Sequence, residues 1–258
     1  MDASLKSQDL AGQVAVVIGG TRGIGRALSL GLGRAGASVV VSSRSAESVA
    51  AVVSELDALG TPALGVPADV SRLDDVQALV REAVGRFGRI DVLVNNAAIN
   101  PLWKRAEHLT PEDWDSIMAV DLRGAFFACR EAGKVMIDQR SGRIVNIASV
   151  TALRGTARGL PYTAAKAGLI AVTQTLAAEW CPYGIRVNAV APGFVATDLT
   201  RGLMANDELY RDMVAKVPMQ RFAEPEEMVG LVVYLASEAS SYVTGQVFVV
   251  DGGYSAIR

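Results

Sequence analysis

Histidine and cysteine are almost missing from this chain. His108 is the single histidine among 258 residues, and Cys129 and Cys181 are the only thiols. One histidine excludes a multi-histidine metal site, and a His-based triad would have to rest on His108 alone. Two cysteines without metal-like spacing read as buried free thiols in a reducing compartment, so no metal is expected. His108 lies just ahead of "TPED", a helix start with Thr110 before Pro111 and two acids in the first turn, and reads as a solvated loop residue. Aromatics are scarce at 6%, and the formal net charge is only −2. Such a surface has no basic field to attract nucleic acid and no Lys/Arg run for a membrane. No segment reaches the ~18 apolar residues of a membrane span. The opening "MDASLKSQDL" lacks the apolar core of a signal peptide. The expectation is a soluble, cytoplasmic protein.

What the chain does have is glycine and short β-branched runs. "VAVVI" (14–18), "SVVVS" (38–42), "ALGVP" (63–67), "DVLVN" (91–95), "RIVNIA" (143–148), "RVNAVA" (186–191) and "VFVV" (247–250) read as seven strands. Helical periods lie between them: Leu73, Val76, Leu79, Val80, Ala83, Val84 and Phe87 share one face, and Val49, Val52, Val53, Leu56 and Leu59 share another. This alternation predicts right-handed βαβ crossovers and a seven-stranded parallel sheet, doubly wound with helices on both faces. No linker or repeat divides the chain, so residues 1–258 form one expected domain, with a mobile N-terminus over 1–10. The long mixed stretch 194–218 is expected to be a substrate lid.

The first strand runs into "GGTRGIG", placing Gly19, Gly23 and Gly25 in a turn that opens a helix. Glycine permits positive φ and close backbone approach, and a helix N-terminus offers N–H groups to a pyrophosphate. The second strand ends "VVVSSRS". An acid at its tip would bind ribose hydroxyls and repel a 2′-phosphate. Instead Ser43 and Arg44 stand there, and Arg22 lies in the glycine turn, a set that suits a phosphate dianion. NADP(H) is therefore expected over NAD(H); the plain alternative is that both arginines only face solvent.

The turn's spacing resembles the T-G-x3-G-x-G pattern of the short-chain dehydrogenase/reductase family, with Ile18 where that family usually has Thr. From Val14 to about Tyr254 the resemblance continues. "ADV" (68–70) resembles the adenine-contacting Asp-Val, and "NNAA" (95–98) resembles N-N-A-G with Ala98 replacing Gly. "NIAS" ends at Ser149, thirteen residues before Tyr162 of "YTAAK", and "APGFVATD" follows the sixth strand. The resemblance implies a Rossmann-like fold. It also implies dinucleotide contacts from Gly19, Thr21, Arg22, Gly23, Ile24, Gly25, Ser43, Arg44, Asp69, Val70, Asn96, Ala97, Tyr162, Lys166, Pro192, Gly193, Val195 and Thr197.

The chemistry explains the residue types. Hydride transfer between a carbinol and a nicotinamide needs a proton to leave or join the same oxygen. Free tyrosine, with a pKa of about 10, is a poor base near neutrality, and a neighbouring ammonium favours its phenolate. Tyr162 and Lys166, at i and i+4, share a helix face. Tyr162 is thus the expected acid/base, Ser149 the hydrogen bond to the substrate oxygen, and Lys166 the tuner of Tyr162 and, by family analogy, the holder of the nicotinamide ribose.

"IMAVDLRGAFF" (117–127) reads as helix, yet puts the carboxylate of Asp121 on its apolar stripe. In the family an Asn of "N-x-x-G-x-F" takes this position and holds a relay water, so Asp121 is the expected fourth catalytic residue. An ionised Asp121 would offset part of the influence of Lys166 and raise the Tyr162 pKa. The alternative is a silent water-binding polar group.

Ile99, Trp103, Leu153, Leu160, Phe194 and Met204 are the expected apolar lining of a substrate pocket, with Asn100 and Arg154 as polar anchors. The preferred substrate is a small carbonyl or secondary alcohol. A fatty-acid-type β-ketoacyl-thioester reductase is the first rival, although "AGLIAVTQTLAAEW" (167–180) has no basic residue to dock an acidic carrier; Arg123, Arg130 and Lys134 on the neighbouring helix remain available. A non-catalytic nucleotide-binding sensor or scaffold is the second, and lyase or epimerase chemistry with the same residues the third. Family resemblance implies a homotetramer, or a dimer, through the Tyr162 and Asp121 helices.

Overall fold

The structure, a computed structural model, describes residues 8–256, so the expected mobile stretch over 1–10 lies mostly outside the described residues. The seven expected strands form: β1 (Val14–Ile18), β2 (Ser38–Ser43), β3 (Ala63–Pro67), β4 (Val92–Asn95), β5 (Gly142–Ile147), β6 (Ile185–Pro192) and β7 (Val247–Val250). They pair in parallel in the order β3-β2-β1-β4-β5-β6-β7. The helices are α1 (Gly23–Arg34), α2 (Ala46–Ala58), α3 (Leu73–Phe87), α4 (Pro111–Met118), α5 (Ala125–Gln139), α6 (Leu160–Trp180), α7 (Arg201–Met204), α8 (Asp207–Val214) and α9 (Val229–Ala236).

Strand alternation decides which helices cover which face. Ala15 and Val17 of β1 join Leu28, Leu32, Leu56, Val232 and Leu235 from α1, α2 and α9. Val14, Val16 and Ile18 join Val76, Leu79, Ala132, Met136 and Leu176 from α3, α5 and α6. Both faces of the strand are buried, which is why it reads as an unbroken apolar run. Leu59, expected on the packed face of α2, lies beyond the helix end and is exposed.

Two readings need correction. Cys129 is buried, and its thiol pKa is pushed up to about 12 by burial, but Cys181 is exposed. It opens a 3-10 turn after α6, past the end of the packed helix face. The segment 117–127 is helical but not regular: Ala119–Gly124 is a π turn between α4 and α5. An added Cβ at Gly124 would come within 2.5 Å of the Val70 carbonyl oxygen, so the wide turn sits directly against the chain after β3.

His108 lies in an exposed 3-10 turn, and Thr110 and Asp113 form a capping box at the start of α4. The 194–218 stretch folds into α7 and α8. Its base is tied by the parallel bridge Val195–Ala223 and by buried Val217.

Candidate active site

The strand order reverses between β1 and β4, and a cavity of about 610 Å3 opens there beyond the C-terminal strand ends. It gathers Gly19, Thr21, Arg22, Gly23 and Ile24 from the first turn, and Ser43 and Arg44 from the end of β2. Asp69 and Val70 join from the chain after β3, Asn96 and Ala97 from just past the end of β4, and Thr197 from the segment after β6. Gly25, Pro192, Gly193, Val195, Tyr162 and Lys166 lie outside its lining.

The turn is shaped by missing side chains. A Cβ at Gly19 (φ 76°) would lie 2.6 Å from the Ala97 nitrogen, and one at Gly23 (φ 47°) 2.9 Å from Thr197 Cγ2. A Cβ at Gly25 would overlap the Gly19 carbonyl oxygen. Helix α1 has Arg22 at its N-cap position, with no side-chain cap and no acid in its first turn, so its terminal N–H groups, next to the cavity-lining Gly23 and Ile24, are left uncompensated. At the far end, Ser43 Oγ is buried without a hydrogen-bond partner. This cradle, its orphan hydroxyl and the arginines around it fit a dinucleotide carrying phosphate groups.

Ile18 leaves the turn without a hydroxyl of its own, and other residues brace it. Buried Ser29 donates to the Gly20 and Gly25 carbonyls at 3.1 and 3.0 Å, and Asn96 Nδ2 donates to Gly19 O at 2.8 Å. Sequence reading missed Ser29; the available signal was a polar residue on the packed face of α1, four positions after Gly25. Arg22 reaches Asp198 at 3.7 Å, joining the turn to the segment after β6. Burial works against the Asp69 carboxylate, but hydrogen bonds from Ser71 outweigh it and hold its pKa below the usual range. The Val195 side chain is in the core, and its carbonyl accepts from Thr200 Oγ1 at 2.6 Å. Gly193 packs where a Cβ would meet Asp251 Cα at 2.8 Å, and its N–H donates to Val250 O. Pro192 is the last residue of β6.

Beside the cradle, three distant segments bring Ser149, Tyr162, Lys166 and Asp121 together. Ser149 follows β5, and its hydroxyl accepts from Thr151 N and Oγ1 at 3.2 and 3.0 Å. Tyr162 and Lys166 are one turn apart on α6, with Lys166 Nζ 5.6 Å from the Tyr162 ring centroid. Lys166 is 2% exposed and donates to Ile147 O at 2.9 Å. Asp121, 0% exposed, accepts from Ile99 N at 2.8 Å and stands 4.0 Å from Lys166 Nζ.

Charge and burial compete at these groups. Burial pushes the Asp121 carboxyl up to about 6, against the pull of Lys166 and the Ile99 N–H. Burial lowers the Lys166 pKa, and Asp121 opposes it. The Tyr162 phenol is raised above its ordinary 10 by burial and then by Asp121, with a Ser149 hydrogen bond pulling the other way.

The expected apolar pocket is not assembled as a closed space. Ile99 and Asn100 line the cavity at the strand ends, with Asn100 Oδ1 buried and unpartnered. Trp103, Leu153, Leu160 and Met204 are exposed and lie outside its lining. Phe194 instead stacks on Phe222 at 5.1 Å and meets the Tyr254 edge at 5.3 Å, while Arg154 Nη1 donates to Tyr254 O at 3.0 Å. The C-terminal segment thus occupies both. Among the described residues no helix is long and apolar enough to cross a membrane, and no three metal-ligating side chains cluster.

A family model described as enoyl-(acyl carrier protein) reductase matches residues 18–255. A 3-oxoacyl-[acyl-carrier-protein] reductase of Synechocystis sp. is 43% identical over 248 residues, covering 95% of this chain and 97% of that protein. A 2-dehydro-3-deoxy-D-gluconate 5-dehydrogenase of Escherichia coli K12 is 38% identical over 255 residues, covering 98% and 99%. The crystal structure of a gluconate 5-dehydrogenase from Burkholderia cenocepacia J2315 in complex with NADP and tartrate superposes with a TM-score of 0.94 at 34% identity, covering 97% of this chain and 98% of that one. The chain belongs to the short-chain dehydrogenase/reductase family and is an oxidoreductase acting on CH–OH and C=O groups.

Proposed function

We propose that the protein interconverts a small carbonyl compound and its secondary alcohol with NADP(H), using Tyr162 as acid/base. The observation that carries this reading is the convergence of Ser149, Tyr162 and Lys166 beside the glycine cradle, although they come from separate segments after β5 and on α6. When bound, the dinucleotide supplies or takes the hydride. Ser149, oriented by Thr151, hydrogen-bonds the substrate oxygen. Tyr162 gives that oxygen a proton in reduction and removes one in oxidation. Lys166, held by Ile147 O, acts on Tyr162 through its charge. NADP(H) is preferred because the β2 tip offers the Ser43 hydroxyl and the Arg44 guanidinium and no acid, with Arg22 nearby.

The substrate is neutral. Lys104 pairs with Asp113 at 2.7 Å, Arg154 donates to Tyr254 O and Arg201 pairs with Asp198, so these three cations already have partners within the chain. The acyl-carrier reading is weakened in the same way, since Arg130 and Lys134 both bind Glu131 and Arg123 donates to Ser71 O. The apolar groove of about 590 Å3 bordered by Leu122, Phe126, Phe127 and Val172 supports assembly into a homo-oligomer through α5 and α6. The polypeptide is cytoplasmic in this reading.

The test is NADPH and NADH consumption with neutral ketones, keto-aldonates and β-ketoacyl thioesters, repeated with Tyr162→Phe. Turnover of neutral ketones with NADPH, falling about 10²- to 10⁴-fold in the Phe variant, is expected. Activity surviving in Tyr162→Phe would remove the acid/base assignment, and no turnover of any compound would favour a nucleotide-binding scaffold.

A further inference from the structure

We infer that Asp121 is a positioning residue that biases the site toward carbonyl reduction: its carboxylate pairs with Lys166, cancels the field that would draw the proton off Tyr162, and keeps the phenol protonated through neutral pH. The inference rests on Tyr162 being the acid/base proposed above.

The geometry is that of a closed pair. The π turn Ala119–Gly124 carries Asp121 inward to full burial, with Oδ1 held by the Ile99 N–H. Oδ2 is buried with no hydrogen-bond partner, and the carboxylate meets Lys166 Nζ at 4.0 Å through that oxygen. Lys166 spends one of its protons on Ile147 O and is itself shut off from solvent. The groups that face this pair are few: Tyr162 and Lys166 from α6, the Ser149 hydroxyl from the chain after β5, and the Ile99 N–H after β4. Among the described residues no further carboxylate, guanidinium or imidazole contributes to the charge balance of Asp121, Tyr162 or Lys166. An amide at 121 would leave Lys166 as an uncompensated cation beside the phenol. The carboxylate makes the pair neutral as a whole.

The two directions of reaction ask opposite things of Tyr162. In reduction the carbonyl carbon gains the hydride, the carbonyl electron pair takes the Tyr162 proton, and the phenolate left behind regains a proton from water. Oxidation is the reverse and requires the phenolate first, so that it can accept the carbinol proton. A phenol held protonated serves reduction at neutral pH and restricts oxidation to alkaline solution. The sign follows from the charges: burial and a nearby anion both disfavour phenolate, and removing the anion lowers the phenol pKa. Asp121 itself takes a proton at about pH 6, below which it is as neutral as an amide.

The test compares wild type, Asp121→Asn and Tyr162→Phe. kcat/KM for alcohol oxidation is recorded against pH, and tyrosinate absorbance of the unliganded proteins is titrated, with the Tyr162→Phe curve subtracted to isolate Tyr162. The Asn side chain keeps the size of Asp121 and the acceptor for Ile99. In Asp121→Asn the oxidation limb and the Tyr162 titration are both expected to move down by about one to two pH units. The two proteins should converge below about pH 6, where burial leaves the Asp121 carboxyl protonated. Superposed profiles overturn the inference, as does a wild-type Tyr162 phenolate forming at or below its ordinary pKa. That last measurement decides the matter even if the Asn variant does not fold. Loss of turnover in Tyr162→Phe with superposed wild-type and Asp121→Asn profiles would sink this role of Asp121 and leave the proposed function standing.

Discussion

At the turn between β1 and α1, room for a ligand is made by leaving side chains out, and backbone atoms of Ala97 and Gly19 stand where Cβ atoms would otherwise go. A few residues away in space, around Lys166, the site is made by putting charge in, with a fully buried carboxylate and ammonium at 4.0 Å. The first region is a steric device written in one short stretch of chain. The second is an electrostatic device assembled from the π turn, the chain after β5, and α6. A steric cradle fails when any atom is added. An electrostatic pair fails only when charge is changed, so isosteric substitutions separate the two.

Gly25→Ala should break the contrast most. Its methyl overlaps the Gly19 carbonyl, and overpacking against backbone costs about 3 kcal/mol or more. Scanning calorimetry should show a fall of roughly 6–12 °C in Tm. Dinucleotide Kd should rise on the order of a hundredfold, while the Tyr162 titration stays where it was. A phenol pKa that moves with Gly25→Ala would mean the two regions are not independent.

Arg44→Ala is next. The loss of one charge-assisted hydrogen bond at an exposed position, about 1.5 kcal/mol, should cut the NADPH-over-NADH preference about tenfold in kcat/KM. An unchanged ratio would place Arg44 in solvent, as its plain alternative has it.

Ser29→Ala should be the smallest effect. It removes the buried hydroxyl that holds Gly20 and Gly25, for about 1 kcal/mol and roughly 2–4 °C, with Kd for NADPH rising only a few-fold. No loss at all would leave Asn96 as the effective brace of the turn.

The strands were legible because both faces of a parallel sheet are buried, so β1 reads as an uninterrupted Val/Ala/Ile run and β2 carries the run Val39–Val41. The glycine turn was legible because its geometry is local. Asp121 was legible as an anomaly, a carboxylate on an apolar stripe, but a regular helix was the wrong frame for it. The wide turn depends on Gly124 packing against Val70 O, a contact more than fifty residues away in sequence. The substrate mouth was the least legible part. Phe194 and Arg154 carry residue types that suit a pocket, yet both are taken by Tyr254 near the other end of the chain.

By itself the amino-acid order determined the strand and helix alternation, the cradle at Gly19, Gly23 and Gly25, and the i, i+4 pairing of Tyr162 with Lys166. Each of these is set by backbone preference and side-chain period over a few residues. Only the tertiary structure decided that Asp121 meets Lys166, that Ser29 and Asn96 hold the turn, and that the C-terminal segment claims Arg154 and Phe194. Those outcomes depend on distances between segments that the chain brings together only once both faces of the sheet are packed, and a charge acts according to distance and burial, not according to its place in sequence.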